Sequence, residues 1–116
     1  MKLYFDMMKE HYNRENIICE SPDDKVLGFM IYSPISEDSA YIDNIYVGQQ
    51  HRKDRIAKNL VKMLVAKGFT KLMSHVDMTS AVAHDAIKFH LAMGAEIHEA
   101  SKTRIIFYKD YQEEEI

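Results

Sequence analysis

What most limits the fold of this 116-residue chain is a strand, a basic turn and an amphipathic helix in succession between Tyr41 and Gly68. Tyr41-Ile42-Asp43-Asn44-Ile45-Tyr46-Val47 reads as the strand, and Gly48 to Asp54 as the turn. Arg55 to Lys67 reads as the helix, with Gly68 placed as its left-handed stop. A further strand, Lys71 to Val76, follows closely. Because a helix joins the two strands, they must run parallel. A strand that feeds a helix leaves several backbone N–H groups unpaired at one point, which is a ready site for phosphate. The segment Gln49-Gln50-His51-Arg52-Lys53-Asp54-Arg55-Ile56-Ala57 lies where such a ligand would sit.

Around this unit the remaining elements read as a meander and a hairpin. Leu3, Met7, Met8 and Tyr12 have helical spacing, so 1–14 is expected to carry a short helix. Ile17 to Glu20 and Val26 to Tyr32 read as antiparallel strands joined at the turn Ser21-Pro22-Asp23-Asp24. In the third strand Ile42 has the opposite parity to Ile45 and Val47. An extra residue near Asp43-Asn44, a β-bulge, would put all three on one face. Ile56, Leu60, Met63, Leu64 and the stem of Lys67 form the apolar stripe of the first long helix. Thr79 or Ser80 is expected to cap a second helix through Val82, Ala86, Phe89 and Met93, ended by Gly94. Glu96 to Glu99 and Thr103 to Lys109 then form a hairpin. The expected class is α/β of the α+β type, with a mixed, mostly antiparallel sheet and one β–α–β crossover. The length suits one domain over 1–116, closed from 111 onward by an acidic tail that includes Glu113-Glu114-Glu115.

Composition narrows the classes of function. A lone Cys19 excludes an intramolecular disulfide, and Asp6, Lys9 and Glu10 interrupt the N-terminus too early for a signal peptide. A cytoplasmic protein is expected, with no membrane partner, since no apolar run nears the ~20 residues that span a bilayer. Cys19 lies in the apolar run Ile17-Ile18-Cys19 and reads as a structural thiol. The formal net charge of −3 argues against nucleic acid, although His51, Arg52, Lys53, Arg55, Lys58 and Lys62 gather near the turn. His75, His84 and His98 lack the spacing of a metal site, so no metal is expected. Met63, Met73 and Met93 read as adaptable core filler.

The order of elements, with the motifs at these places, resembles the GNAT superfamily of acyl-CoA-dependent N-acetyltransferases over roughly residues 15 to 110, with a shortened N-terminus. In that family a bulged strand precedes a loop of pattern R/Q-x-x-G-x-G/A, whose amides hold the CoA pyrophosphate. Here the pattern falls on Arg52-Lys53-Asp54-Arg55-Ile56-Ala57, with Arg55 where the family has its central Gly. The later helix, Ala86-Ile87-Lys88-Phe89-His90-Leu91-Ala92-Met93-Gly94-Ala95, matches with His90 in the position of a tyrosine, and Ala83 stands where an Asn is often found.

The resemblance implies acetyl-CoA as cosubstrate, with Ile45, Tyr46 and Val47 pairing to the pantetheine arm and Arg52, Lys53, Asp54, Arg55, Ile56 and Ala57 around the pyrophosphate. Arg55 can still donate its N–H, and its guanidinium can pair with a phosphate. Asp54 opposes an anion and equally reads as a helix N-cap. His90 stands where the family's tyrosine protonates the departing thiolate, a role open to histidinium near neutral pH; the alternative is a half-buried histidine with no role. Asp43 is the candidate base, against a bulge carboxylate that satisfies local backbone groups. Tyr41 and Tyr46 line the acceptor side or pack.

Three functions follow for test. The first is transfer of an acetyl group by direct attack of an amine: a protein lysine, an N-terminus or a small amine. The second is a catalytically inactive GNAT-like protein that binds a protein partner, as a virion or host-interaction module. The third, a phosphate-binding module for nucleic acid, is disfavoured by the acidic balance and the lack of interleaved aromatics.

Overall fold

The computed structural model describes residues 15–23, 25–48 and 55–111. The helix expected between Leu3 and Tyr12, Asp24 of the first turn, the loop residues Arg52, Lys53 and Asp54, and Glu113 to Glu115 lie outside these.

Six strands form one sheet: β1 (Glu15–Glu20), β2 (Val26–Pro34), β3 (Ser39–Val47), β4 (Lys71–Asp77), β5 (Glu96–Ala100) and β6 (Arg104–Asp110). Their order is β1-β2-β3-β4-β6-β5. Helix α1 (Ile56–Ala66) joins β3 to β4, and α2 (Ala83–Ala92) joins β4 to β5. Among the described residues only the β3–β4 pair is parallel, as the connecting helix requires.

The bulge in β3 lies where parity called for it. Ile31 pairs with Asn44 and Tyr32 with Ile42, so Asp43 is the extra residue. Ile42, Ile45 and Val47 all pack towards the core that α1 covers. Both helices lie on this one face. Leu72 joins the cluster around Leu60 and Leu64, while Val76 and Phe107 join Ala83, Ala86 and Ile87 of α2. Phe29, Ile31 and Ile18 form a second cluster on the other face.

Several local expectations shift. The buried stripe of α1 is Ile56, Leu60, Val61, Leu64 and Val65, while Met63 is exposed. Val61 and Val65, on the β-branched flank of the helix, belong to the main core, and Val61 lines a crevice with Leu72, Ser74 and Phe107. Helix α2 starts at Ala83, with Val82 at the N-cap and no side-chain cap. Neither Thr79 nor Ser80 caps it: Thr79 is bonded to the Asp77 carboxylate, and the Ser80 hydroxyl accepts from the Val82 N–H at 3.2 Å. Gly68 and Gly94 both have positive φ, 107° and 84°, immediately after the helix C-caps Lys67 and Met93, as expected. Tyr111 is not part of a solvated tail. It is buried in the main core, and its N–H donates to the Thr70 carbonyl at 2.7 Å. Cys19 is half-buried against the same core.

Candidate functional site

The site is built where the parallel pair comes apart. Pairing between β3 and β4 runs from Ser39–Lys71 to Ile42–Ser74 and ends there. Beyond that rung β3 continues to Val47 paired only with β2. The bulge at Asp43 is the cause, since an extra residue bends the strand and raises its twist at the point of departure. The sheet therefore opens into a wedge, with Asn44 to Val47 on one side and His75 to Asp77 on the other.

At the far end of β3 stands the start of α1. Arg55 occupies its N-cap with φ 60° and ψ 27°, the left-handed conformation that glycine adopts without cost. Among the described residues it is the one non-glycine with positive φ. A residue with a side chain thus holds a backbone conformation that favours glycine. A left-handed residue followed by a right-handed helical one, Ile56, turns successive N–H groups to one side, which is the geometry of an anion nest. Arg55 holds the N-cap, and Asp54, the cap expected from the sequence, lies outside the described residues. The αL strain predicts that Arg55→Gly raises stability by about 1 kcal/mol, net of the entropy that glycine adds to the unfolded chain. Chemical denaturation of the two proteins measures it, and a loss of stability would contradict the strain.

Gly28 fits this end together. A Cβ on Gly28 would lie 2.7 Å from the Tyr46 carbonyl oxygen and 2.9 Å from Cγ2 of Ile56. Its missing side chain lets the α1 N-terminus settle directly on the β2–β3 ladder. Ile45 and Val47 are half-buried against the core, whereas Tyr46 is exposed on the other face and stacks on Phe29 at 5.3 Å. Ile56 is buried, and Ala57 half-buried, under this end of the sheet.

His90 of α2 lies at the opposite end, over the last rung. Its Nδ1 is 3.4 Å from the hydroxyl of the buried Ser74, and its ring stacks on Phe107 with centroids 4.8 Å apart. Ser74, Ile42, Phe89, His90 and Phe107 line a narrow crevice of about 10 Å³, roughly the space of one water. Burial, and secondarily the charge of His75, push the His90 pKa down from 6.5 to about 4. Burial thus favours the neutral ring over the histidinium. Protonation is easier in the unfolded chain, so this group's contribution to stability is whole above pH 6.5 and is lost as pH falls through about 4. We expect unfolding free energy to fall between pH 6.5 and 4.5 with up to a one-proton slope that His90→Gln removes. Denaturation at intermediate pH values checks this, and equal slopes in the two proteins would refute it.

Asp43, at the bulge, accepts a 2.6 Å hydrogen bond from the Ser33 hydroxyl and is half-buried. It does not line the His90 crevice. The described candidates thus fall at two stations along β3: Ile45, Tyr46, Val47, Arg55, Ile56 and Ala57 at one end, and Asp43 with His90 about the Ile42–Ser74 rung at the other. Sequence reasoning missed Gly28, Ser74 and His75. The Tyr41 hydroxyl is 2.9 Å from His75 Nδ1 across the two strands. Strict alternation in both strands places these two on one face, but only the β3–β4 register makes them meet. No group of side chains suited to a metal ion occurs among the described residues. None of the described helices is long and apolar enough to cross a membrane.

A parallel pair that opens at a bulge, beside a helix whose first turn is shaped for an anion, is an arrangement suited to an acyl-CoA transferase. The model of the acetyltransferase (GNAT) family matches residues 2–95, and the chain belongs to that family. Among solved structures it is similar to Ard1 from Thermoplasma volcanium, with TM-score 0.73 and 13% identity over 97% of this chain and 80% of that one. It is also similar to the PaiA N-acetyltransferase of Thermoplasma acidophilum, solved in complex with coenzyme A (TM-score 0.69, 19% identity, 95% and 70% covered). A GNAT family acetyltransferase from Elizabethkingia anophelis with acetyl-CoA bound gives TM-score 0.70 and 14% identity over 91% and 82%. A comparison with the curated proteins gave no match.

Proposed function

We propose that this chain transfers an acetyl group from acetyl-CoA to an amine. The observation that carries the reading is the end of the β3–β4 ladder at Ile42–Ser74, with the αL nest of Arg55 at the far end of the same strand. These residues fit the cosubstrate: the edge of β3 from Ile45 to Val47 runs beside the wedge where the amides of a pantetheine arm would lie, and the turn into α1 suits a pyrophosphate. Acetyl-CoA supplies the activated thioester. The chain orients it, screens it from water and handles the proton that the amine must lose. Arg52, Lys53 and Asp54 complete the loop, with Arg52 the principal cation for the phosphates.

His90 enters this reading as a neutral imidazole, a donor or acceptor of a hydrogen bond at the rung and not a pre-charged acid. Asp43, held by Ser33, acts as an electrostatic partner to the incoming ammonium. The crevice by His90 has no room to enclose an acceptor, which favours an amine at the end of an extended chain, on a polypeptide or a polyamine.

Isothermal titration with acetyl-CoA and with CoA, at two salt concentrations, tests the proposal. Micromolar affinity that Arg52→Ala abolishes supports it. No binding at millimolar ligand overturns it and transfers the search to protein partners, the function of a GNAT scaffold freed from catalysis.

A further inference from the structure

Opposite the helices, on the face that carries neither α1 nor α2, the wedge has a second polar group at its mouth. Tyr41 is the residue before the last rung of β3, and His75 is the residue after the last rung of β4. Register puts Tyr41 beside Met73, so His75 lies diagonally across the strands on the same face. The hydroxyl and Nδ1 are 2.9 Å apart, and the rings lie 5.7 Å between centroids. Both side chains are half-buried, so the pair is partly desolvated yet reachable.

We propose that Tyr41 and His75 form the proton-accepting relay for the amine, a step that rests on the acetyl-transfer reading above. The ammonium of the acceptor gives a proton to the Tyr41 oxygen as the Tyr41 O–H proton passes to His75 Nδ1. One N–H and one O–H bond break, one O–H and one N–H bond form, and the electron pair left on nitrogen is the nucleophile. Tyr41 is thus the catalytic residue and His75 acts through it. Burial raises the Tyr41 pKa, which keeps the phenol protonated and makes it the donor to Nδ1. That bond fixes the resting tautomer of His75, with its proton on Nε2.

The charges around the pair suit the role. Asp43 of β3 raises the Tyr41 pKa and Arg104 of β6 lowers it. On the neighbouring elements Asp77 of β4 and His90 of α2 are the groups that feel the charge of His75. Asp43 and Asp77 favour an ammonium at the wedge and the imidazolium that forms there, and the Arg104 guanidinium opposes both. His90 approaches from the helix face through Ser74, on the other side of the rung, so two imidazoles bracket the point where the strands separate.

The test uses the full chain, with acetyl-CoA affinity by titration and acetyl transfer to three probes: spermidine, a lysine-containing peptide with a blocked N-terminus, and a peptide with a free N-terminus. Tyr41→Phe is expected to lower kcat by about 10²-fold with acetyl-CoA affinity unchanged. His75→Gln should lose a similar factor in kcat with acetyl-CoA affinity and the KM for the amine unchanged, a split that a merely structural loss would not give. The double variant should be no slower than the slower single one, because the two act as a unit. Near-wild-type turnover in Tyr41→Phe or in His75→Gln, or additive losses in the double variant, overturns the relay. So does acetyl-CoA binding without transfer to any of the three amines, which leaves the cosubstrate reading in place. Failure to bind acetyl-CoA overturns both.

Discussion

Phe107→Ala is expected to cost about 3–5 kcal/mol, the range for removing a large aromatic from a closed core. Phe107 is wholly inaccessible to solvent and forms a cluster with Val76 and Ala83, so β4, β6 and α2 all lean on one ring. Against a typical total of about 5–15 kcal/mol, such a loss leaves a marginal domain. The site should respond as well. His90 stacks on the same ring, and burial is the first cause of its low pKa. With Phe107 gone, water reaches the imidazole, and its pKa should climb from about 4 back towards 6.5. Denaturant titration measures the first effect and an NMR titration of His90 the second. Phe107→Leu, which fills most of the volume, should show a smaller version of both. A cost below about 1 kcal/mol, or a His90 that titrates as before, would mean that the ring is not the wall of this crevice.

The parts of the molecule legible in its sequence are those specified by local chemistry. The crossover from Tyr41 to Asp77 declared itself through strand alternation, helical spacing and Gly68. The bulge was readable from the parity of Ile42 against Ile45 and Val47 alone. These cues act over a few residues and do not depend on what packs from elsewhere. The misread features all depend on distant partners. Met63 and Val61 lie on opposite flanks of the stripe made by Ile56, Leu60 and Leu64, and only the way α1 sits on the sheet buries the one and exposes the other. Tyr111 looked like the start of a polar tail because its neighbours in sequence are acidic, while its neighbours in space are core residues. His90 carried the family position, but the burial that lowers its pKa includes the ring of Phe107 on β6, which the hairpin with β5 returns to the middle of the sheet. Tyr41 and His75 meet only through the register of a parallel pair, a quantity that no single strand encodes.

Gly28 shows the same limit at the cosubstrate end, and its replacement gives the second large effect. Gly28→Ala would set a Cβ 2.7 Å from the Tyr46 carbonyl oxygen, 2.9 Å from Ile56 Cγ2 and 3.4 Å from the Val47 Cα. The oxygen is part of the β2–β3 ladder and Ile56 is the buried first residue of α1, so neither yields by a simple rotation of a free side chain. Overpacking of this kind costs about 1–3 kcal/mol. The strain is directional: relief must move the end of β3 or lift the N-terminus of α1, and those are the two walls proposed to hold the pantetheine arm and the pyrophosphate. Acetyl-CoA affinity should therefore fall at least about tenfold in protein that is still folded, since displacements of a few tenths of an ångström already misalign backbone hydrogen bonds. Ile31→Val, a deletion in the cluster on the opposite face, serves as the stability control. It should cost about 0.5–1.5 kcal/mol and leave affinity as it was. If Gly28→Ala binds acetyl-CoA as tightly as the unaltered chain while losing stability, the α1 N-terminus is not part of the cosubstrate site, and the nest at Arg55 has only a structural meaning.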